Sequence, residues 1–148
     1  MDGAVVIARV LAVALSLPGV RDDAHARVRA HDAARVLAAL ARSEAEARLA
    51  IVWAFRESSW RRTAVGDAGH SFGACQNSRA EIAAAGSTVP RVLASLAEGL
   101  RVCLATIRAS ARTCGGLARG LGYVASGRCG HASWLVSQRC RSAGVVCR

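Results

Sequence analysis

One carboxylate in this chain sits where a general acid would be expected. Glu57 falls near the C-terminal end of an apolar run, Ala47 to Phe55. A helix there would present the negative end of its dipole, which disfavours an ionised Glu. Trp53 lies one turn back on the same helix face, and Trp60 follows three residues ahead. Apolar, desolvating neighbours favour the protonated carboxyl, and a proton held near neutral pH is what a general acid needs. The plainer alternative is an exposed helix-end Glu paired with Arg61.

The six cysteines suggest other chemistry. Cys75 stands alone, whereas Cys103, Cys114, Cys129, Cys140 and Cys147 crowd the last third. No C-x-x-C occurs, and Cys129-Gly130-His131 is the one close Cys/His pair. A zinc site needs about four ligands at workable spacing, so neither a metal nor any other cofactor is expected. An even number of cysteines in a short region reads better as two or three disulfides, and hence as an oxidising destination. Buried free thiols are the alternative. Cys114 to Cys129, spanning a Gly-rich segment, is the single link expected first.

The elements that must position these groups are mostly helical. At 148 residues the chain fits one domain, 1–148, large enough for a core without help from metals. Gly3 to Val20 is apolar except for Arg9, ending at Pro18-Gly19; it is either a first core helix or a signal-like segment. No apolar run approaches the roughly 20 residues of a membrane span. Asp22-Asp23 can cap a helix to about Arg42, with Val28, Ala33, Val36, Leu37 and Leu40 on its apolar side. Ser43 followed by Glu46 has the capping-box spacing. It opens the helix that ends near Glu57, apolar nearly all round and therefore central. Thr63 to Gln76 reads as an irregular loop or small hairpin around Gly66-Asp67 and Gly69. A short helix over Ser78 to Ala85 follows. A long one from Pro90 to Cys114 carries the stripe Leu93, Leu96, Leu100, Cys103, Leu104 and Ile107. A Gly-rich segment holding Tyr123 and a last helix, Ala132 to Arg141, complete the chain.

The stretch Glu57-Ser58-Ser59-Trp60, with Ala64-Val65-Gly66-Asp67-Ala68-Gly69-His70-Ser71-Phe72-Gly73-Ala74-Cys75-Gln76, resembles the lytic transglycosylase and goose-type lysozyme superfamily. Tyr123-Val124-Ala125-Ser126-Gly127 resembles that superfamily's downstream Tyr-Asn-x-Gly element more weakly, with Val124 in place of Asn. The resemblance covers roughly Leu49 to Gln76 well. It implies a mostly α, lysozyme-like α+β fold with a small loop or hairpin after the central helix. It also implies cleavage of the bond between N-acetylmuramic acid and N-acetylglucosamine in peptidoglycan, with Glu57 as the acid. Ser58, Ser71, Phe72, Gln76 and Tyr123 would contact the sugars; for Ser71 and Gln76 the alternative is turn stabilisation, and for Tyr123 core packing. Lytic transglycosylases resemble single-Glu enzymes that form an anhydro-sugar, whereas hydrolysis usually takes two carboxylates. Asp67 is the one nearby second carboxylate, catalytic in a lysozyme-type reaction or part of a plain Gly-Asp-x-Gly turn. The usual Phe and Pro after Glu-Ser are absent, and Cys75 stands before Gln76 where an apolar residue is common.

Charge narrows the partner. Net charge is +10, and every basic residue is Arg, which reflects coding bias rather than function. The arginines are scattered and form no tract, which weakens a nucleic-acid arm. Arg56, Arg61 and Arg62 put positive charge near Glu57, so anionic wall strands fit better than nucleic acid. The expected protein is a monomer without a transmembrane span, working in the periplasm, outside the cell or with a phage particle. The competing classes are a basic module that binds wall polymer or nucleic acid without catalysis, and a disulfide-stapled structural protein.

Overall fold

The structure is a computed structural model and describes residues 2–147; Met1 and Arg148, the expected domain ends, lie outside the described residues. Helix α1, Gly3–Leu15, starts at Asp2, whose carboxylate accepts from Ala4 N–H at 3.0 Å. It buries Val6, Val10 and Ala14, spaced four apart, and so belongs to the core. Helix α2, Ala24–Leu40, is capped by Asp23, which accepts from His25 and Ala26 N–H. Its buried face is Ala26, Ala30, Ala33, Ala34 and Leu37, small residues that bring the helix close to α1. Val28, expected inside, is 61% exposed. The alanine row, not the bulkier residue, sets which side faces inward.

Helix α3, Glu44–Ser58, is the central one, as its all-round apolar sequence demands. Leu49, Ile51, Val52 and Trp53 are buried, and α1 and α2 pack on it. Ser43 accepts from Glu46 N–H at 3.2 Å. The return half of the box is displaced, since Glu46 accepts from Arg42 N–H at 2.6 Å. At the far end Ser59 and Trp60 both take left-handed backbone, φ 54° and 59°. Their N–H groups close on Phe55 and Ala54 carbonyls at 2.8 and 3.4 Å, which caps the helix and turns Trp60 back beneath it.

The expected hairpin is a three-stranded antiparallel sheet of two-residue strands: β1 Val65–Gly66, β2 Ser71–Phe72 and β3 Asn77–Ser78. Val65 pairs with Phe72, and Phe72 with Asn77. A 3₁₀ turn, Asp67–Gly69, joins the first two. Helix α4, Arg79–Ala84, opens with a complete capping box between Ser78 and Glu81.

Two expectations are corrected here. The long helix from Pro90 is two helices, α5 Val89–Ala94 and α6 Leu96–Cys114. Ser95 has extended backbone between them and accepts from Glu98 N–H at 3.2 Å, a cap that overrides the continuous apolar stripe. The Gly-rich segment is itself a helix, α7 Leu117–Ser126. Its glycines serve close packing and not turns: a Cβ on Gly120 would lie 2.5 Å from Ala111 N, and one on Gly122 would lie 2.4 Å from His131 O. Helix α8, Ser133–Ala143, then packs across α3 and α7.

All six cysteines pair, as Cys75–Cys103, Cys114–Cys129 and Cys140–Cys147. The first ties the sheet loop to α6, the expected second closes over α7, and the third pins the chain after α8. Three disulfides fit an oxidising, secreted-type environment. Among the described residues no helix is long and apolar enough to cross a membrane, and no cluster of metal-ligand side chains forms. The whole is a mostly helical α+β domain.

Candidate active site

The end of α3, the sheet, α7 and α8 surround a cleft of about 600 Å³. Glu57, Asp67, Ser71, Gln76 and Tyr123 all line it. These residues, up to 66 positions apart in sequence, are brought together with α7 packed back against α6 and α8. Glu57 reaches the cleft from the last turn of α3, with its side chain 27% exposed.

The surround of Glu57 differs from the sequence expectation. Trp53 lines the cleft, but Trp60 does not: it lies under α3, where its Nε1–H donates to Ile51 O at 2.9 Å and its ring packs on Phe55. The partner of Glu57 is a cation from the other end of the chain. Arg139 Nη1 donates to Glu57 Oε1 at 2.7 Å. The Arg139 side chain is only 9% exposed, and its guanidinium lies 3.8 Å over the Trp53 ring. Burial holds Arg139 below the usual arginine pKa, and the charge and hydrogen bond of Glu57 partly restore it. Arg56, Arg61 and Arg62, expected to charge the cleft, lie outside its wall. Arg61 donates to Ser58 O at 2.9 Å, and Arg62 to Leu93 O at 2.7 Å.

Several expected sugar contacts are occupied within the protein. Ser58 is buried, donates to Ala74 O at 2.7 Å and accepts from Arg61 N–H at 3.1 Å; it fastens the helix end to the loop and does not line the cleft. Phe72 likewise faces inward, in a second small core with Ile82, Val92 and Val102. Gln76 Nε2 donates to Ala64 O at 3.2 Å and Gly73 O at 2.9 Å, so its amide braces the loop. The Ser71 hydroxyl donates to Asp67. Tyr123 is not core packing: it is 43% exposed on the cleft wall.

Backbone strain concentrates here. Among the described residues six non-glycines have left-handed φ, and five of them, Ser59, Trp60, Asp67, Ala68 and Gln76, lie at the end of α3 and in the loop beside it. Each such residue costs about 1–3 kcal/mol, and such strain clusters where a site must be held in one shape.

Comparison with known proteins found no matching family model, no matching curated protein and no matching solved structure. The site therefore stands on its own geometry.

Sequence reasoning missed Arg139 and Asn77. Arg139 had a legible signal. It shares one face of α8 with Val136, Cys140 and Ala143, and an arginine on a buried stripe requires an acid to meet it. Asn77 follows Gln76 on β3, is 4% exposed and lines the cleft. Its Nδ2 donates to Thr106 Oγ1 at 3.3 Å, and its Oδ1 is buried without a partner.

Proposed function

We propose that the protein cleaves peptidoglycan glycan strands between N-acetylmuramic acid and N-acetylglucosamine, as a lytic transglycosylase with Glu57 as the acid–base group. One observation carries the reading: Glu57 opens from a helix end into a cleft large enough for sugar rings, shared with Tyr123 and the strained loop. The resemblance of Glu57 to Gln76 supplies the substrate class.

In this mechanism Arg139 grips Oε1, which leaves Oε2 as the oxygen to carry the proton. Protonated Glu57 gives that proton to the glycosidic oxygen as the C1–O bond breaks. The ring becomes oxocarbenium-like, and the carboxylate regenerated beside Arg139 then accepts the proton of the muramic acid C6 hydroxyl as that oxygen attacks C1. The product is a 1,6-anhydro end. Arg139 pairs with the carboxylate form and not with the resting protonated acid expected from apolar neighbours, so in this reading the reaction begins when Oε2 takes up a proton in the substrate-filled cleft.

Asp67 supports a second reading, because it lines the same cleft. There a water activated by Asp67 would attack C1 and leave a reducing end, as in a lysozyme. Mass spectrometry of digested cell walls separates the two. The expected result is anhydro ends, turbidity clearance reduced by about 10²-fold or more in Glu57→Gln, and less than about tenfold loss in Asp67→Asn. Reducing ends with a larger Asp67→Asn loss would make it a hydrolase. Undiminished clearance by Glu57→Gln would remove both. The periplasm and the cell exterior offer this substrate under oxidising conditions, and a phage particle would carry the enzyme to it. Nothing in the reading requires nucleic acid, a cofactor or a second copy of the chain.

A further inference from the structure

Helix α8 has two different flanks. Leu135 and Arg139 line the cleft, whereas Ser133, Ser137 and Arg141 line a separate pocket of about 360 Å³. Two residues along a helix turn it by roughly 200°, so pocket and cleft lie on opposite sides of α8. Arg119 of α7 and His131 complete the polar lining of the pocket, which contains no carboxylate. Its apolar lining is chiefly Val136, Val145 and the Cys140–Cys147 disulfide.

The lack of acid extends well beyond the pocket. After Glu98 the sequence has eight Arg and no Asp or Glu. Arg101, Arg108 and Arg139 pair back to Glu98, Glu46 and Glu57. Arg112, Arg119, Arg128 and Arg141 are exposed and make no ion pair with any described residue. A positive face without interspersed carboxylates attracts an anionic partner.

Two large apolar side chains narrow the choice of partner. Trp134 is 70% exposed and shares a helix stripe with Ser137 and Arg141, three and seven residues on. Val146, 74% exposed, stands between the pocket residues Val145 and Cys147. The other two tryptophans, Trp53 and Trp60, are buried. A soluble phosphate polymer offers charge to the arginines but nothing apolar to Trp134 and Val146. An anionic bilayer offers both, because arginines meet lipid phosphates and tryptophan settles at the level of the headgroups.

We infer that this flank docks on anionic phospholipid bilayers, with a lipid phosphate in the pocket between Arg119 and Arg141 and with Trp134 and Val146 sunk among the headgroups. The inference is independent of what the cleft cleaves. Docking by this flank leaves the cleft on the far side of α8, open away from the membrane.

The test is co-sedimentation of the intact, disulfide-bonded protein with vesicles of phosphatidylglycerol and phosphatidylcholine, against vesicles of phosphatidylcholine alone. The anionic vesicles should bind at least about tenfold more tightly, with a blue shift of tryptophan emission as Trp134 leaves water. Arg119→Gln with Arg141→Gln should weaken that binding by about tenfold or more. Trp134→Ala should weaken it by about fivefold or more and abolish the blue shift. Arg27→Gln with Arg35→Gln, an equal loss of exposed charge on α2, should cost less than about threefold. Binding that falls as far in the α2 variant, that survives both flank variants, or that does not distinguish the two kinds of vesicle overturns the inference. Soluble polyphosphate that binds as tightly as the anionic vesicles, without shifting the emission, would overturn it too and assign the pocket to a phosphate polymer.

Discussion

Removing Arg139 and removing Glu57 should destabilise the protein unequally, and the inequality follows from the burial of the two partners. Arg139→Met takes away a hydrogen bond to a charged group, worth about 2 kcal/mol, and a cation–π contact with Trp53, worth about 1 kcal/mol. It leaves behind a carboxylate that is 27% exposed and can hydrate through the cleft, while the methionine refills the apolar space. The net cost should be about 2 kcal/mol, toward the low side of that sum. Glu57→Ala leaves a guanidinium only 9% exposed with no counter-charge, and breaking a buried pair from that side costs about 3–5 kcal/mol. The double variant removes the orphaned charge and should recover part of the loss, with a coupling energy of about 1–3 kcal/mol. Urea unfolding followed by far-ultraviolet circular dichroism, disulfides intact, measures all four proteins. In thermal unfolding, at roughly 2–4 °C per kcal/mol for a domain of this size, the Glu57→Ala midpoint should fall by about 6–20 °C. A coupling energy below about 0.5 kcal/mol, or a larger loss for Arg139→Met than for Glu57→Ala, would refute the reasoning.

Two further outcomes are expected. Hydrogen bonds from Arg101 and then Ser87 hold the Glu98 carboxyl down at about 2 from an ordinary 4.5, against the pull of burial. A depressed acid stabilises the fold above its unfolded value, and that contribution is lost as pH falls from about 4.5 through about 2. Glu98→Gln should therefore lower stability by about 1 kcal/mol at pH 7, with Arg91 and Arg101 partly screened by solvent, and its unfolding curve should converge with wild type near pH 2; parallel curves at both pH values would contradict this. Gln76→Leu should strip the loop of both side-chain donors and cost about 1–3 kcal/mol, with faster hydrogen exchange at Gly73 N–H, which bonds Ala64 O at 2.8 Å. Loss of wall binding with unchanged exchange would instead make Gln76 a sugar contact.

Local signals of the fold were legible and long-range ones were not. Asp23 and Ser43 marked helix starts because an N-cap is a contact within three residues. The central place of α3 followed from having no polar side to expose. Ser95 was readable in principle, with Glu98 three residues on, but a continuous stripe from Leu93 to Ile107 masked it. Helix α7 was not readable, because Gly120 and Gly122 answer to Ala111 and His131 on neighbouring elements. For the same reason Cys114–Cys129 was foreseen as a short bridge, whereas the partner of Cys75 lay on a helix whose placement no local pattern reveals.

The candidate site divides along the same line. Ser58, Ser71 and Gln76, which carry most of the motif beyond Glu57, bond to Ala74 O, to Asp67, and to Ala64 and Gly73 O respectively. A motif written in short-range bonds specifies the shape of a loop: it holds five residues in left-handed backbone around the end of α3 and keeps Glu57 at the rim. It does not specify what meets the carboxylate. Arg139 arrives from 82 residues away, and Tyr123 and Asn77 reach the cleft from α7 and β3. The loop residues that carry the resemblance therefore fix local shape, whereas Arg139, Tyr123 and Asn77, which meet Glu57 or share its cleft, lie outside that stretch. On the proposed function, exchanging Ser58 or Gln76 should act through stability, exchanging Tyr123 through binding in the cleft, and exchanging Arg139 through both.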